Sequence, residues 1–182
     1  MNIYLIGFRG AGKTAVGRCL SAALGRTFFD MDEELARRFA GTIREFVGRN
    51  GWPAFRREEK ALLQEIARQS GRVVSTGGGV VLDAENVCAM RRSGRVVWLE
   101  AAAQTLQERL QADEGTPHNR PALSASIPLD EEIRSTLSER TPLYRQAMDF
   151  SIATDGRPVE DICRILSELL GAAAPMRPAS GL

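Results

Sequence analysis

A chain of 182 residues has the size of one ordinary globular domain, and 43% hydrophobic with 26% charged residues excludes a wholly disordered or fibrous protein. Basic and acidic side chains number 24 and 23, a net charge of +1, so composition offers no support for non-specific nucleic-acid binding. Cys19, Cys88 and Cys163 lie far apart with no CxxC pair, which points to reduced, core-filling thiols in a cytoplasmic protein. The opening apolar run, residues 3–6, is too short for a membrane span and lacks the pattern of an export signal.

That run reads as a buried strand stopped at Gly7, and Val16, Leu20, Ala23 and Leu24 then recur at helical spacing up to Gly25. Residues 27–29 form a second short strand ending in Asp30. Leu35 and Phe39 mark a helix closed by Gly41, and Thr42 with Glu45 makes a capping box for the next helix. Gly51, Trp52 and Pro53 interrupt the pattern, which resumes from Phe55 to Gln69 through Leu62, Leu63 and Ile66. A third strand, 72–76, runs into Gly77, Gly78 and Gly79. Asp83 caps a helix reaching Met90, residues 96–99 form a fourth strand, and Leu106 and Leu110 belong to the helix after it. Residues 113–129 have no helical or strand period, and a loop that long in a compact domain is expected to be either functional or disordered. Helical spacing returns at Ile133 and Leu137, residues 150–153 supply a fifth strand, and Val159, Ile162, Cys163, Leu166, Leu169 and Leu170 line a last helix. Residues 172–182 read as a flexible tail. Strands alternating with helices predict one α/β unit over residues 1–171, with a parallel sheet covered on both faces.

The sharpest motif is Gly7-Phe8-Arg9-Gly10-Ala11-Gly12-Lys13-Thr14, a G-x-x-x-x-G-K-[ST] phosphate loop between a predicted strand and a predicted helix. Glycines permit a tight loop whose backbone N–H groups face phosphate oxygens, and the helix that follows adds its positive end. Gly7, Gly10, Ala11, Gly12, Lys13, Thr14 and Ala15 are therefore the candidate nucleotide-binding residues. Lys13 is expected to reach the β and γ phosphates, and the Thr14 hydroxyl to ligate Mg²⁺. The motif calls for ATP or a similar triphosphate with magnesium, and leaves the phosphoryl acceptor undefined.

Four further segments, read with this loop, resemble the shikimate kinases. They are Asp30-Met31-Asp32, Phe55-Arg56-Arg57-Glu58-Glu59, Gly77-Gly78-Gly79 and Arg140-Thr141-Pro142-Leu143-Tyr144, and the likeness runs from about residue 2 to residue 170. The resemblance implies a three-layer P-loop kinase fold with a five-stranded parallel sheet in the order 2-3-1-4-5. It also implies a substrate-binding region near residues 31–60 and a lid near 112–129. The implied reaction moves the ATP γ-phosphoryl group to the 3-hydroxyl of shikimate, a step of chorismate and aromatic amino acid biosynthesis. A cytoplasmic monomer with no nucleic-acid or membrane partner is expected.

By the same resemblance Asp30 holds Mg²⁺, while Asp32 binds substrate hydroxyls and accepts the proton of the attacking oxygen. Two residues apart at a strand end, both would point to one side of an extended backbone; the alternative is that Asp32 merely caps the helix starting near Glu33. Arg56 and Arg140 would grip the shikimate carboxylate, a planar anion that suits a guanidinium fork, with Glu59 orienting Arg56. Gly77, Gly78 and Gly79 would let the ligand approach the backbone without Cβ atoms in the way. Arg120 resembles a lid arginine closing over the phosphates. Arg109 resembles an arginine stacked on adenine, with Arg157 and Pro158 on its other side. His118, the only histidine, reads as a solvated loop residue, Trp98 as core, and the strand ending in Glu100 as a core strand with no catalytic role. Trp52, the length of the lid and Ala15 depart from the common family pattern. Another small-molecule kinase, acting on gluconate or a nucleotide, and a nucleotide-dependent switch are the competing readings.

Overall fold

The computed structural model describes residues 1–112 and 127–171. Its strands are β1 (Asn2–Ile6), β2 (Thr27–Asp30), β3 (Arg72–Ser75), β4 (Gly94–Glu100) and β5 (Phe150–Ala153). The helices are α1 (Lys13–Ala23), α2 (Met31–Arg38), α3 (Ile43–Ala67), α4 (Ala84–Ser93), α5 (Ala103–Ala112), α6 (Leu129–Ala147) and α7 (Val159–Gly171), with a 3₁₀ turn at Val80–Leu82. The strands form one sheet in the order β2-β3-β1-β4-β5, with every neighbouring pair parallel.

Successive side chains of a strand point to opposite faces, and β1 shows the consequence. Tyr4 and Ile6 join Val74, Val96 and Trp98 on one face, beneath Leu35, Phe55, Leu62, Leu63, Met90 and Tyr144 of the helices. Ile3 and Leu5 join Val73, Val97 and Leu99 on the other, beneath Val16, Leu20, Leu106, Ile162 and Leu166. Each fully buried side chain of this kind contributes about 1.5–3 kcal/mol of transfer free energy. With all five residues buried, β1 is the floor of both cores.

Local signals behave largely as the sequence predicts. The Thr42 hydroxyl accepts the Glu45 amide at 3.1 Å while the Glu45 carboxylate accepts the Thr42 amide at 2.8 Å, completing the capping box. Asp83 caps α4 through the Glu85 amide at 2.8 Å. Gly51 (φ 78°, ψ 164°) kinks α3, and Pro53 falls in the first turn after the kink, where its missing N–H costs no helical hydrogen bond.

Three details differ. β3 stops at Ser75, one residue early, although Thr76 still donates its amide (3.2 Å) and its hydroxyl (2.9 Å) to the Leu5 carbonyl. α6 already begins at Leu129. Cys88 is exposed on α4 rather than buried, although Cys19, Cys88 and Cys163 are all free thiols. Among the described residues no helix is long and apolar enough to cross a membrane. His118, Arg120 and nearly all of the expected lid, like the tail 172–182, lie outside the described residues.

Candidate active site

The loop after β1, the β2–α2 junction and the loop after β3 all leave the C-terminal edge of the sheet, where open parallel sheets bind ligands. At the phosphate loop, Gly7 adopts φ 139° and lies so close to β4 that a Cβ there would stand 2.5 Å from the Leu99 carbonyl oxygen. Gly12, at φ 91°, precedes α1, and no side chain caps that helix. The first N–H groups of α1 therefore meet the loop uncapped, the arrangement that receives an anion. Lys13 is buried, and its Nζ donates to the carbonyls of Gly7 (2.9 Å) and Phe8 (2.8 Å), curling the cation over its own loop. Ala11 is packed into the core beneath the loop, and Ala15 is exposed.

Thr14 donates its hydroxyl to Asp30 Oδ2 at 2.8 Å and stands 3.5 Å from the Ser75 hydroxyl. The other Asp30 oxygen accepts the amides of Asp32 (2.9 Å) and Glu33 (3.3 Å), which makes Asp30 the N-cap of α2. Asp32 is thus not the cap, and it does not share an extended strand with Asp30. It sits in the first turn of α2, and the helical turn, not strand alternation, carries its side chain to the cleft. The oxygens of Thr14, Asp30 and Ser75 form a hard donor set suited to Mg²⁺, which typically takes one or two protein oxygens and completes its shell with phosphate and water. No group of three or more His, Cys, Asp or Glu among the described residues could hold a metal by itself. Ser75 was not singled out by sequence, since one serine ending a strand carries no motif.

The other end of the cleft is built from side chains. Asp32, Arg56, Glu59, Gly77, Gly78, Gly79 and Arg140 line one cavity with about 480 Å³ of atom-free space, part of it open to solvent. Arg56 and Arg140 therefore face the same volume, although 84 positions separate them in the chain. Arg56 Nη1 donates to Glu59 Oε2 at 2.5 Å, and its guanidinium lies 5.3 Å from the rings of both Trp52 and Phe55. Glu59 is 1% exposed, and its Oε1 has no hydrogen-bond partner. Burial pushes its carboxyl above the usual carboxylate range, against the opposing pull of Arg56 and Arg140. Arg140 Nη1 and the Tyr144 hydroxyl both donate to the Gly78 carbonyl, at 3.2 and 2.5 Å, and burial pushes the Tyr144 phenol up to about 12.

The glycine run has a more specific use than ligand access. A Cβ on Gly79 would overlap the Arg56 guanidinium, and one on Gly77 would overlap Glu59 Oε1. The absent side chains make room for the protein's own carboxylate and guanidinium groups. Phe8, Arg9, Ile43, Trp52 and Phe55 complete the lining and were not assigned to it from sequence, since nothing local distinguishes a cleft aromatic from a core one.

Arg109 is half-buried and ties three pieces together. Its Nη1 donates to the Gly10 carbonyl (3.2 Å) and the Thr154 hydroxyl (3.0 Å), and its Nη2 to the Thr154 carbonyl (2.8 Å). The guanidinium edge is committed to the loop after β5, and only its face is left for stacking. Arg157 and Pro158 are exposed in that loop.

The family model described as shikimate kinase matches residues 9–170. A shikimate kinase of Symbiobacterium thermophilum is 40% identical over 170 residues, covering 93% of this chain and 96% of that protein. A shikimate kinase 2 of Dickeya chrysanthemi is 40% identical over 172 residues, covering 94% and 98%. Among solved structures, the shikimate kinase from Acinetobacter baumannii in complex with shikimate superposes with a TM-score of 0.85 at 35% identity, covering 93% of each chain.

Proposed function

The chain belongs to the shikimate kinase family, and from that premise we propose how its own residues divide the transfer of the ATP γ-phosphoryl group to the 3-hydroxyl of shikimate. What supports the division is the meeting of Arg56, Arg140 and Asp32 in one cavity that begins at the phosphate loop. Arg56 and Arg140 hold the shikimate carboxylate as charge-assisted pairs, and Glu59 fixes the Arg56 guanidinium. Asp32 takes the proton from the 3-hydroxyl as that oxygen bonds to the γ-phosphorus. The bond from phosphorus to the β,γ-bridging oxygen breaks, and ADP leaves with the electron pair. Lys13, released from the Gly7 and Phe8 carbonyls, moves onto the β and γ phosphates.

Thr14 and Asp30, with Ser75 beside them, hold Mg²⁺, whose chemistry is to neutralise charge on the phosphates. Gly7, Gly10, Ala11, Gly12 and Ala15 frame the triphosphate. Arg109, Arg157 and Pro158 flank the adenine, and Arg120 is the lid arginine. Residues 1–171 act as one unit, a cytoplasmic monomer with no nucleic-acid or membrane partner, in keeping with balanced charge and free thiols. The deciding experiment is a coupled assay of ADP release with ATP and Mg²⁺, run with shikimate, with gluconate and with no acceptor. Release dependent on shikimate is expected. Equal rates with and without it, or a response to gluconate alone, would sink the acceptor assignment.

A further inference from the structure

Arg9, the phosphate-loop arginine that lines the cleft, is held there from a distance. Its Nη2 donates to Oε1 of Glu132, in the first turn of α6, and the two side chains are only 12% and 4% exposed. The Glu132 amide is bonded to the Pro128 carbonyl at 2.9 Å, so the carboxylate is offered from an ordered turn. The negative charge also sits where a helix N-terminus favours it. Roughly two turns further along α6, Arg140 and then Tyr144 grasp the Gly78 carbonyl. α6 is thus fastened at one point to the phosphate loop and at another to the glycine run. These two loops also touch, since a Cβ on Gly78 would lie 3.4 Å from the Arg9 amide nitrogen.

We propose that the Arg9–Glu132 ion pair is a strut that fixes α6, and with it Arg140, relative to the phosphate loop, so that Arg9 and Glu132 are positioning residues for phosphoryl transfer. The inference rests on the reading that Arg140 holds the acid. A buried pair of this kind is a poor source of net stability but a strict geometric constraint, because neither charge tolerates losing its partner. Reacting atoms displaced by about 1 Å lose on the order of 100-fold in rate, so a partial loosening is enough to be measured.

The test compares Arg9→Met, Glu132→Gln, the double variant and Arg9→Lys by two readouts. The first is hydrogen–deuterium exchange in the ligand-free protein. Either single variant should speed exchange in both segments, 7–12 and 129–136, although only one of them carries the substitution. The second is steady-state kinetics with ATP and shikimate, together with ADP affinity. The turnover number should fall about tenfold while ADP affinity holds within about twofold, the double variant should be no worse than the worse single, and Arg9→Lys should recover most of the loss. Should Arg9→Met fail to fold with Glu132 left unpaired, the double variant, which is neutral at both positions, carries the test. Exchange that rises only at the altered residue, or losses that multiply in the double variant, would overturn the strut. So would a shikimate KM raised by Arg9→Met and untouched by Glu132→Gln, which would make Arg9 a substrate contact. If the unaltered protein shows no shikimate-dependent ADP release, the acceptor assignment falls, and the exchange comparison still decides the strut.

Discussion

The two ends of the cleft are made of different materials. At the proposed phosphate end the grip is by backbone, and residues 7–14 supply the loop, the helix start and the lysine in one contiguous stretch. At the proposed acid end the grip is by side chains, brought from α2 (Asp32), α3 (Arg56 and Glu59) and α6 (Arg140) onto three glycines after β3. A backbone cradle suits a phosphate chain common to many reactions, since any residue has an N–H. A side-chain clamp suits one acceptor, and it changes when single residues change. On the proposed reading, the molecule separates general chemistry from specific recognition along one cleft.

Substitutions at the acid end should therefore leave the phosphate end intact, and each of the following can break that separation. Asp32→Asn removes the proposed proton acceptor without changing shape, and kcat should fall on the order of 100- to 10,000-fold. ADP affinity measured by calorimetry should not move; a matching loss of ADP binding would show the two ends to be one. Arg56→Ala removes charged hydrogen bonds worth about 1.5–3 kcal/mol, so shikimate KM should rise roughly 10- to 100-fold with ATP KM unchanged. Gly79→Ala sets a methyl group where the Arg56 guanidinium lies. Because the obstacle is the far end of a side chain, the guanidinium moves and the fold persists. Shikimate KM should increase several-fold, a loss of about 1 kcal/mol of binding, and the melting temperature should change little.

The smallest effect is a pH dependence. Burial raises the Glu59 carboxyl above its unfolded value, so the folded chain holds that proton more tightly. The stabilisation linked to it is complete in acid and is lost as pH rises through the folded value. In function the sign is the reverse, because protonation takes away the partner of Arg56. On acidification shikimate KM should begin to rise above the usual glutamate range, and Glu59→Gln should flatten that limb. A limb that survives in the Gln variant would assign the titration to another group.

The same contrast governs what could be read from the sequence. The phosphate loop, the Thr42–Glu45 capping box, the Asp83 cap and the break at Gly51 were all legible, because each is a local pattern whose physics is complete within a few residues. Parallel pairing followed from the alternation of strands and helices, the strand order from the resemblance, and both agree with the structure. The roles of Asp30 and Asp32 were blurred, since either carboxylate can cap a helix and only the fold shows that Asp30 does. Ser75 beside Thr14, Tyr144 on Gly78 and Arg9 on Glu132 were not legible at all. These meetings join residues 61, 66 and 123 positions apart, and no periodicity records them.

The central place of β1 has a consequence for the order in which the protein matures. Its two neighbours, β3 and β4, come from residues 72–75 and 94–100, and Gly7 rests against the Leu99 carbonyl. During synthesis the phosphate loop precedes both of these strands, and it has no complete floor until about residue 100 has followed it. The motif is thus made well before the strands that support it, and a nascent chain halted before β4 would carry the whole motif yet offer no complete nucleotide site.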